Sequence, residues 1–202
     1  MGTVIQNLDT YWNPKLYPIQ WRYGTDAKKG FTMIVTPDAG LHAEVTEWLF
    51  REAELLDDGF ERKWLDEMVS QDIVYQLPLR QTVERARGAG WVEGTYHLDE
   101  RYGSLSTRVA RNETAYAWAE DPPSRIRHFV TNIRVTPRPN GLIGVRSNLL
   151  IYRTRQDGVN PQILSGERHD TLRREDGVLR LAERRVLLDL TAIGTHNLSI
   201  FF

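Results

Sequence analysis

The side chains that could carry redox or metal chemistry are few in this 202-residue sequence. There is no cysteine, so the chain cannot supply the thiolates that hold an iron–sulfur cluster. Mononuclear non-haem iron needs two histidines and one carboxylate around open positions. The five histidines are His42, His97, His128, His169 and His196. No two of them have the three-to-five-residue spacing of a local metal motif, and only a site assembled across the fold is left open.

Acid–base chemistry is the second possibility that the residue types offer. It needs a histidine or a carboxylate held in an apolar pocket. The candidates are Asp72, His97, Asp99, His128 and His169. Because His128 lies between Arg127 and Phe129 in a predicted strand, the favoured interpretation is a histidine that bonds backbone or a carboxylate.

Composition limits the class of protein. The formal net charge is −1 and 41% of the residues are hydrophobic, which fits one domain with a good core and gives no field to bind nucleic acid or an anionic membrane. The sequence shows no apolar run of membrane-spanning length and no signal-peptide pattern. We therefore expect a soluble cytoplasmic protein.

The first half of the sequence predicts helices. Residues 1–40 are aromatic but aperiodic, which is typical of an extended arm lying on another surface. Apolar residues from Leu41 to Leu56 recur every three or four positions and predict a helix that stops at Gly59. Shorter helices are predicted over residues 60–69 and 97–113. A strand is predicted around Ile73, Tyr75 and Leu77, ending at Pro78, and residues 80–95 read as a loop or broken helix.

From Ser124 onward the sequence predicts strands. Turn signals at residues 139–141, 157–158 and 176–177 separate β-rich runs and indicate hairpins. Helices followed by such strands give an α+β fold with an antiparallel, meandering sheet and helices on one face. The final segment, Asn197 to Phe202, reads as the end of a strand whose large apolar residues should be buried.

Charged residues in the predicted strands have two open interpretations. Arg153, Arg155, Glu167, Arg168, Asp170, Glu183 and Arg185 are assigned to a polar sheet face. That face could be solvated, with weak cross-strand ion pairs. The 22 arginines against 4 lysines instead favour a subunit interface, because arginine is enriched and lysine depleted there.

Several segments in register resemble one known family. They are EAELLDDGFERKWLDEM with the following Leu77–Pro78 pair, ETAYAWAEDPPSRIRHFVTNIRV, SNLLIYRTR, SGERHDTLRR and the terminal NLSIFF. From Leu41 to Phe202 the sequence resembles the small, beta, subunits of Rieske-type aromatic-ring-hydroxylating dioxygenases, such as those acting on biphenyl, toluene and naphthalene.

The resemblance implies a cone-like fold of the nuclear transport factor 2, ketosteroid isomerase and scytalone dehydratase type, with an arm over 1–40 and a single α+β domain over 41–202. It implies a structural subunit without its own catalytic, cofactor or metal site. The partner alpha subunit would hold the Rieske [2Fe-2S] cluster and the mononuclear iron, and would cis-dihydroxylate an aromatic hydrocarbon with electrons from NADH through partner electron-transfer proteins. The alternative is a stand-alone lyase or isomerase of the same fold with a His/Asp acid–base pair.

The resemblance also implies partners and an interface. The expected assembly is a trimer of heterodimers, without nucleic acid or membrane. The interface candidates are Arg125, Arg127, His128, Asn132, Arg153, Arg155, Arg168, Arg185, Asn197, Phe201 and Phe202.

Overall fold

A computed structural model describes residues 38–84, 89–113, 123–194 and 199–202. Its elements, in chain order, are α1 (Ala39–Asp57), α2 (Glu61–Met68), β1 (Val69–Arg80), β2 (Trp91–Glu100), α3 (Tyr102–Asn112), β3 (Arg125–Pro137), a 3-10 turn (Pro139–Gly141), β4 (Ile143–Thr154), β5 (Gln162–Glu175) and β6 (Val178–Leu188). The predicted arm falls almost entirely on residues 1–37, outside the described residues, so the division at residue 40 stays a prediction.

The six strands form one sheet in the order β2-β1-β6-β5-β4-β3. Four neighbouring pairs are antiparallel, as predicted, whereas β1 and β6 run parallel. The expectation of an entirely antiparallel meander is therefore wrong at this one pair. The reason is that β1 and β6 lie at opposite ends of the sheet-forming sequence, and no local turn signal reports such a pairing.

Helix α1 forms where its apolar period predicts it. The Asp38 carboxylate caps its start by accepting from the backbone N–H of Gly40 (2.9 Å) and Leu41 (3.2 Å). Its end is followed by Gly59, whose φ of +75° suits glycine. The buried stripe runs from Val45 to Leu56 and includes the carboxylate of Glu52.

The same helix covers the free edge of the outermost strand, β3. The Asp57 carboxylate accepts from the backbone N–H of His128 at 2.9 Å. Five residues along the strand, the carbonyl oxygen of Ile133 lies 3.3 Å from His42 Nε2. Helix α1 thereby occupies backbone groups that an added strand would need.

Residues 91–100 correct the predicted element boundaries. They form strand β2, which pairs antiparallel with β1 through Leu77 and Leu98 and through Pro78 and Tyr96. The loop predicted for 80–95 and the helix predicted from residue 97 are wrong here, and α3 begins at Tyr102. The four-residue spacing between Leu98 and Tyr102 is a coincidence, because Leu98 belongs to β2 and pairs with Leu77 on the neighbouring strand. Strand β1 likewise continues past Pro78 through an irregular register.

The predicted hairpin turns are confirmed. Asp176 and Gly177 both have positive φ (50° and 83°) between β5 and β6, as a tight hairpin turn requires. Asn140 and Gly141 play the same part between β3 and β4. The core lies between the helices and the inner face of the curved sheet, and the interior of this cone holds the polar residues described next. None of the helices in the described residues is both long enough and apolar enough to cross a membrane.

Candidate assembly site and the interior of the cone

Four ionisable side chains meet inside the cone. Glu52 of α1 lies between two guanidinium groups: it accepts from Arg184 at 2.9 and 2.8 Å and from Arg168 at 3.0 Å. Asp170 accepts from the other side of Arg184 at 2.9 and 2.8 Å. All four residues are 1% exposed. Two carboxylates and two guanidiniums thus balance one another without solvent.

We call Glu52, Arg168, Asp170 and Arg184 the ion cluster. Burial and the neighbouring charges act in opposite directions on the pKa values of its members. Burial by itself raises the pKa of Glu52, but the Arg184 and Arg168 guanidiniums outweigh it and hold that pKa below its ordinary value. For Arg184, burial opposes the charged form, and the carboxylates of Asp170 and Glu52 more than compensate, so its pKa is raised. Both side chains are therefore charged at neutral pH.

The last four residues of the sequence pack against this cluster. Four side chains from three elements, α3, β3 and β6, contact their carbonyl oxygens. Asn112 Nδ2 donates to Ser199 (3.4 Å), Arg108 Nη2 to Ile200 (2.9 Å) and Arg184 Nη1 to Phe202 (2.6 Å), and His128 Nε2 lies 2.9 Å from the carbonyl oxygen of Phe201. Tyr75 Oη also donates to Phe202 O and accepts from Phe202 N.

The predicted burial of this tail is confirmed for residues 199–202, since Phe201 and Phe202 are 2% and 0% exposed. The Phe201 ring packs against Trp64, with the ring centroids 4.9 Å apart. The Arg108 guanidinium lies over the Phe201 ring, 4.6 Å from its centroid. The tail does not finish a strand, however: β6 ends at Leu188, and residues 199–202 are held by side chains instead of a strand ladder.

His128, one of the five acid–base candidates, has a contact at both ring nitrogens. Nδ1 lies 2.6 Å from Asp57 Oδ1 and Nε2 lies 2.9 Å from Phe201 O. A carboxylate and a backbone carbonyl therefore occupy both nitrogens of the ring. The favoured sequence interpretation, a histidine that bonds backbone and carboxylate, describes this contact.

The other acid–base candidates do not converge on His128. His169 lies on the outer face, 2.6 Å from Glu167, and this contact lowers the pKa of Glu167. Asp72 pairs with Arg173, and Asp99 pairs with Arg101; each contact lowers the pKa of the carboxylate. His97 lies half-buried on β2. The described residues contain no group of three His, Asp or Glu side chains placed to hold a metal ion.

The interface candidates differ in how far they are buried. Arg125, Arg127 and Asn132 are exposed on β3, where Asn132 adopts φ 54° at an irregularity of the register. Arg155 and Arg185 are half-buried. Phe201, Phe202 and the ring of His128 are buried within the chain, and Asn197 lies outside the described residues.

Placing Arg153, Arg168 and Asp170 on the outer sheet face was wrong. They are 2%, 1% and 1% exposed and point into the cone. Successive strand residues alternate between faces, so Glu167 and Arg168 cannot share one. The sequence analysis missed that Glu52 and Arg184 join Arg168 and Asp170 in the ion cluster. The available signal was the carboxylate of Glu52 within the apolar stripe of α1, because a charge buried there needs an oppositely charged partner.

Comparison with known proteins identifies the family to which the chain belongs. A family model described as the ring hydroxylating beta subunit matches residues 51–194, well over half of the chain. The chain belongs to the ring-hydroxylating beta subunit family. The resemblance predicted from the sequence motifs is thereby confirmed.

Solved structures place this ring-hydroxylating beta subunit among its fold relatives. It is similar to a chain of naphthalene 1,2-dioxygenase, with 28% identity and a TM-score of 0.75 over 84% of this chain and 89% of that one. The beta subunit of benzoate 1,2-dioxygenase from Burkholderia mallei gives 22% identity and a TM-score of 0.58 over 73% and 89%. A protein named as a scytalone dehydratase from Novosphingobium aromaticivorans gives 14% and 0.55 over 77% and 88%. The predicted cone-like fold class is confirmed.

Proposed function

We propose that this ring-hydroxylating beta subunit is a structural, non-catalytic component of a terminal oxygenase. It supports the cis-dihydroxylation of an aromatic hydrocarbon that the partner alpha subunit carries out. The observation that carries this proposal is the state of the cone interior. Its ionisable groups are bound to one another, and the tail residues Phe201 and Phe202 occupy the space beside them.

The cofactors of such an oxygenase do not fit this chain. A Rieske cluster needs two cysteine ligands, and the sequence has none. A mononuclear iron site needs a facial group of two histidines and a carboxylate, and the described residues bring no such three side chains together. We assign both iron centres to the alpha subunit, which receives electrons from NADH through partner electron-transfer proteins.

The proposed substrate class follows the structural comparison. The likeness to the chain of naphthalene 1,2-dioxygenase (TM-score 0.75) exceeds that to the benzoate 1,2-dioxygenase beta subunit (0.58). This supports an aromatic hydrocarbon over an aromatic acid as the substrate of the complex.

The proposed assembly is a cytoplasmic trimer of heterodimers. A trimer of beta subunits could hold neighbouring alpha subunits in a fixed register, so that one subunit's electron donor faces the next subunit's iron. The exposed interface candidates and the aromatic arm of residues 1–40 are proposed to contact neighbouring subunits.

Co-expression with the matching alpha subunit tests the proposal. We expect an affinity tag on this chain to recover an iron-containing partner and oxygenase activity, and we expect the isolated chain to contain no stoichiometric iron and to oxidise nothing. Stoichiometric iron together with oxygenase activity in the isolated, folded chain would overturn the structural role.

A second candidate function, a stand-alone lyase or isomerase, is favoured by one observation. His128 and Asp57 form a buried pair at 2.6 Å, as an acid–base site would require. The Phe201 carbonyl already takes the other nitrogen of His128. Turnover of a small-molecule substrate by the isolated chain, abolished in His128→Gln, would favour this alternative.

A further inference from the structure

The outer face of the sheet carries an apolar patch that the described residues leave exposed. It consists of Phe129, Leu150, Tyr152 and Ile163, which are 52%, 39%, 39% and 54% exposed. Phe129 is directly opposite Leu150 on the neighbouring strand, and Tyr152 is directly opposite Ile163. The four side chains are thus contiguous across three strands, the kind of surface that marks a protein contact. We call it the outer patch.

Two arginines give the outer patch a positive rim. Arg127 is directly opposite Tyr152, and Arg125 is directly opposite Thr154. Arg125 donates to neutral acceptors, Thr154 Oγ1 and Gln156 O. The Arg127 side chain is 65% exposed and lies 3.4 Å from Asp57, a carboxylate that already serves His128. The rim therefore keeps positive charge available to a partner.

A second surface has the opposite charge. It is a groove between the start of α2 and the end of α3, with Phe60 57% exposed at its entrance. Its charged lining is Glu61, Arg62, Lys63, Asp66, Glu67 and Glu113. Arg62 and Glu113 pair at 3.0 Å. Among the other charged side chains of the lining, the carboxylates of Asp66 and Glu67 outnumber the single ammonium group of Lys63. We call it the acidic groove.

We propose that the outer patch of one copy of this chain docks onto the acidic groove of the next copy. The inference rests on the trimeric assembly proposed above and names the surfaces that form it. Patch and groove are complementary: arginine faces carboxylate, and Phe60 can pack against Phe129 and Tyr152. Contact between two outer patches would instead oppose arginine to arginine, which disfavours a symmetric patch-to-patch dimer.

The positions of the two surfaces suit a closed ring. A contact between two different surfaces is head-to-tail and closes only if its rotation permits. In a three-fold ring the directions from one subunit to its two neighbours diverge by only about 60°. The outer patch and the acidic groove flank a common point, because Asp57 contacts Arg127 and lies just before Gly59 and Phe60.

The docking is face-to-groove and does not extend the sheet. Helix α1 binds the backbone of β3 at its free edge, through Asp57 to His128 N and through His42 to Ile133 O. Strand addition at β3 would have to displace this helix.

Mixing two variants tests the pairing of the surfaces. The patch variant carries Arg125→Glu and Phe129→Ser, and the groove variant carries Phe60→Ser and Glu67→Arg. Serine is a favourable residue at position 60, the N-cap of α2, where Phe60 makes no side-chain cap. Each variant alone should self-associate about 30-fold more weakly or worse, the loss expected when a central aromatic anchor is removed. An equimolar mixture should form 1:1 dimers, because one intact patch can still meet one intact groove.

Sedimentation velocity on the full-length proteins gives the readout, with folding checked by circular dichroism. The matched control carries Val178→Ser, an exposed apolar residue (56% exposed) at the opposite end of the β5–β6 hairpin from Ile163 and outside the lining of the groove, and should assemble like the wild type. If a charge reversal prevents folding, Arg125→Gln and Glu67→Gln replace it and should each weaken self-association.

Three outcomes overturn the inference: a monomeric wild type, a variant that still assembles, or a mixture that stays monomeric. Loss of alpha-subunit capture in either variant, with self-association unchanged, would assign the surface to the alpha subunit. Failure of the proposed function is a separate result, because it requires that the wild-type chain capture no iron-containing partner.

Discussion

Glu52 and Arg184 form a two-point ion pair in the centre of the cone, with Nη1 to Oε1 at 2.9 Å and Nη2 to Oε2 at 2.8 Å. The pair joins helix α1 to strand β6 across the interior. Arg184 also binds Asp170 and the Phe202 carbonyl. A single guanidinium therefore links the first helix, two strands and the tail, and its loss should lower the stability of the whole fold.

Glu52→Gln should be strongly destabilising. It leaves Arg168 and Arg184 with one carboxylate between them in a solvent-free site, and removing one partner of a buried ion pair typically costs about 3–5 kcal/mol. Denaturant unfolding measures the change. The control is Glu54→Gln on the same helix, whose side chain is 60% exposed and whose loss should change stability by less than about 0.5 kcal/mol. Equal effects of the two substitutions would contradict the structural role of the ion cluster.

Stability should fall in acid because of the same carboxylate. The pKa of Glu52 lies below its ordinary value of 4.5 in the folded chain, since Arg184 and Arg168 outweigh the effect of burial. The stabilisation is therefore complete above about pH 4.5 and is lost as the pH falls through the folded-state pKa. Free energies of unfolding measured from about pH 7 to about pH 3 should show a drop that is smaller in Glu52→Gln than in the wild type. Parallel curves would argue against this assignment.

Phe202→Ala should destabilise the fold by about 3–5 kcal/mol, the usual cost of a cavity where a buried phenylalanine was. The residue is 0% exposed. Phe50→Ala is the matched control, because Phe50 is 50% exposed on α1 and should cost less than about 1 kcal/mol. Thermal unfolding followed by circular dichroism decides between them. If the tail contributed only surface packing, Phe202→Ala and Phe50→Ala would lower the stability of the fold by similar, small amounts.

His128→Gln should lower stability while leaving turnover per assembled complex within a few-fold of the wild type. The ring holds Asp57 and the Phe201 carbonyl, so its loss loosens the tail. General acid–base catalysis contributes about 10² to 10⁴ in rate. Turnover of the purified complex, normalised to assembled protein, is the measurement, with His169→Gln as the outer-face control. A loss of that size with assembly intact would give His128 a catalytic role.

Gly166→Ala should be destabilising by about 1–3 kcal/mol, as overpacking usually is. An added Cβ would lie 2.6 Å from the Leu187 carbonyl oxygen and 3.0 Å from Leu188 Cα, forcing β5 and β6 apart. Gly103→Ala is the control: its Cβ meets nothing within 4 Å, and alanine in α3 should stabilise by about 0.5–1 kcal/mol. Denaturant midpoints with unchanged slopes would report both changes.

The sequence by itself determined the features that depend on neighbouring residues. The three- and four-residue spacing predicted α1, and Asp176-Gly177 predicted a hairpin turn, because both signals are local. The large apolar residues at Phe201 and Phe202 predicted a buried tail. The order of several motifs along the chain predicted the family, which no single motif could do.

Only the tertiary structure decided which groups meet. Period-two alternation predicts that a strand has two faces but not which face is inside when both carry arginine, so Arg153 and Arg168 were assigned to the wrong side. The parallel contact of β1 with β6 and the pairing of β2 with β1 depend on residues far apart or weakly patterned. The ion cluster is the clearest case. Glu52 is separated from Arg168 by 116 residues and from Arg184 by 132, and such a contact arises only when the helix packs into the curved sheet.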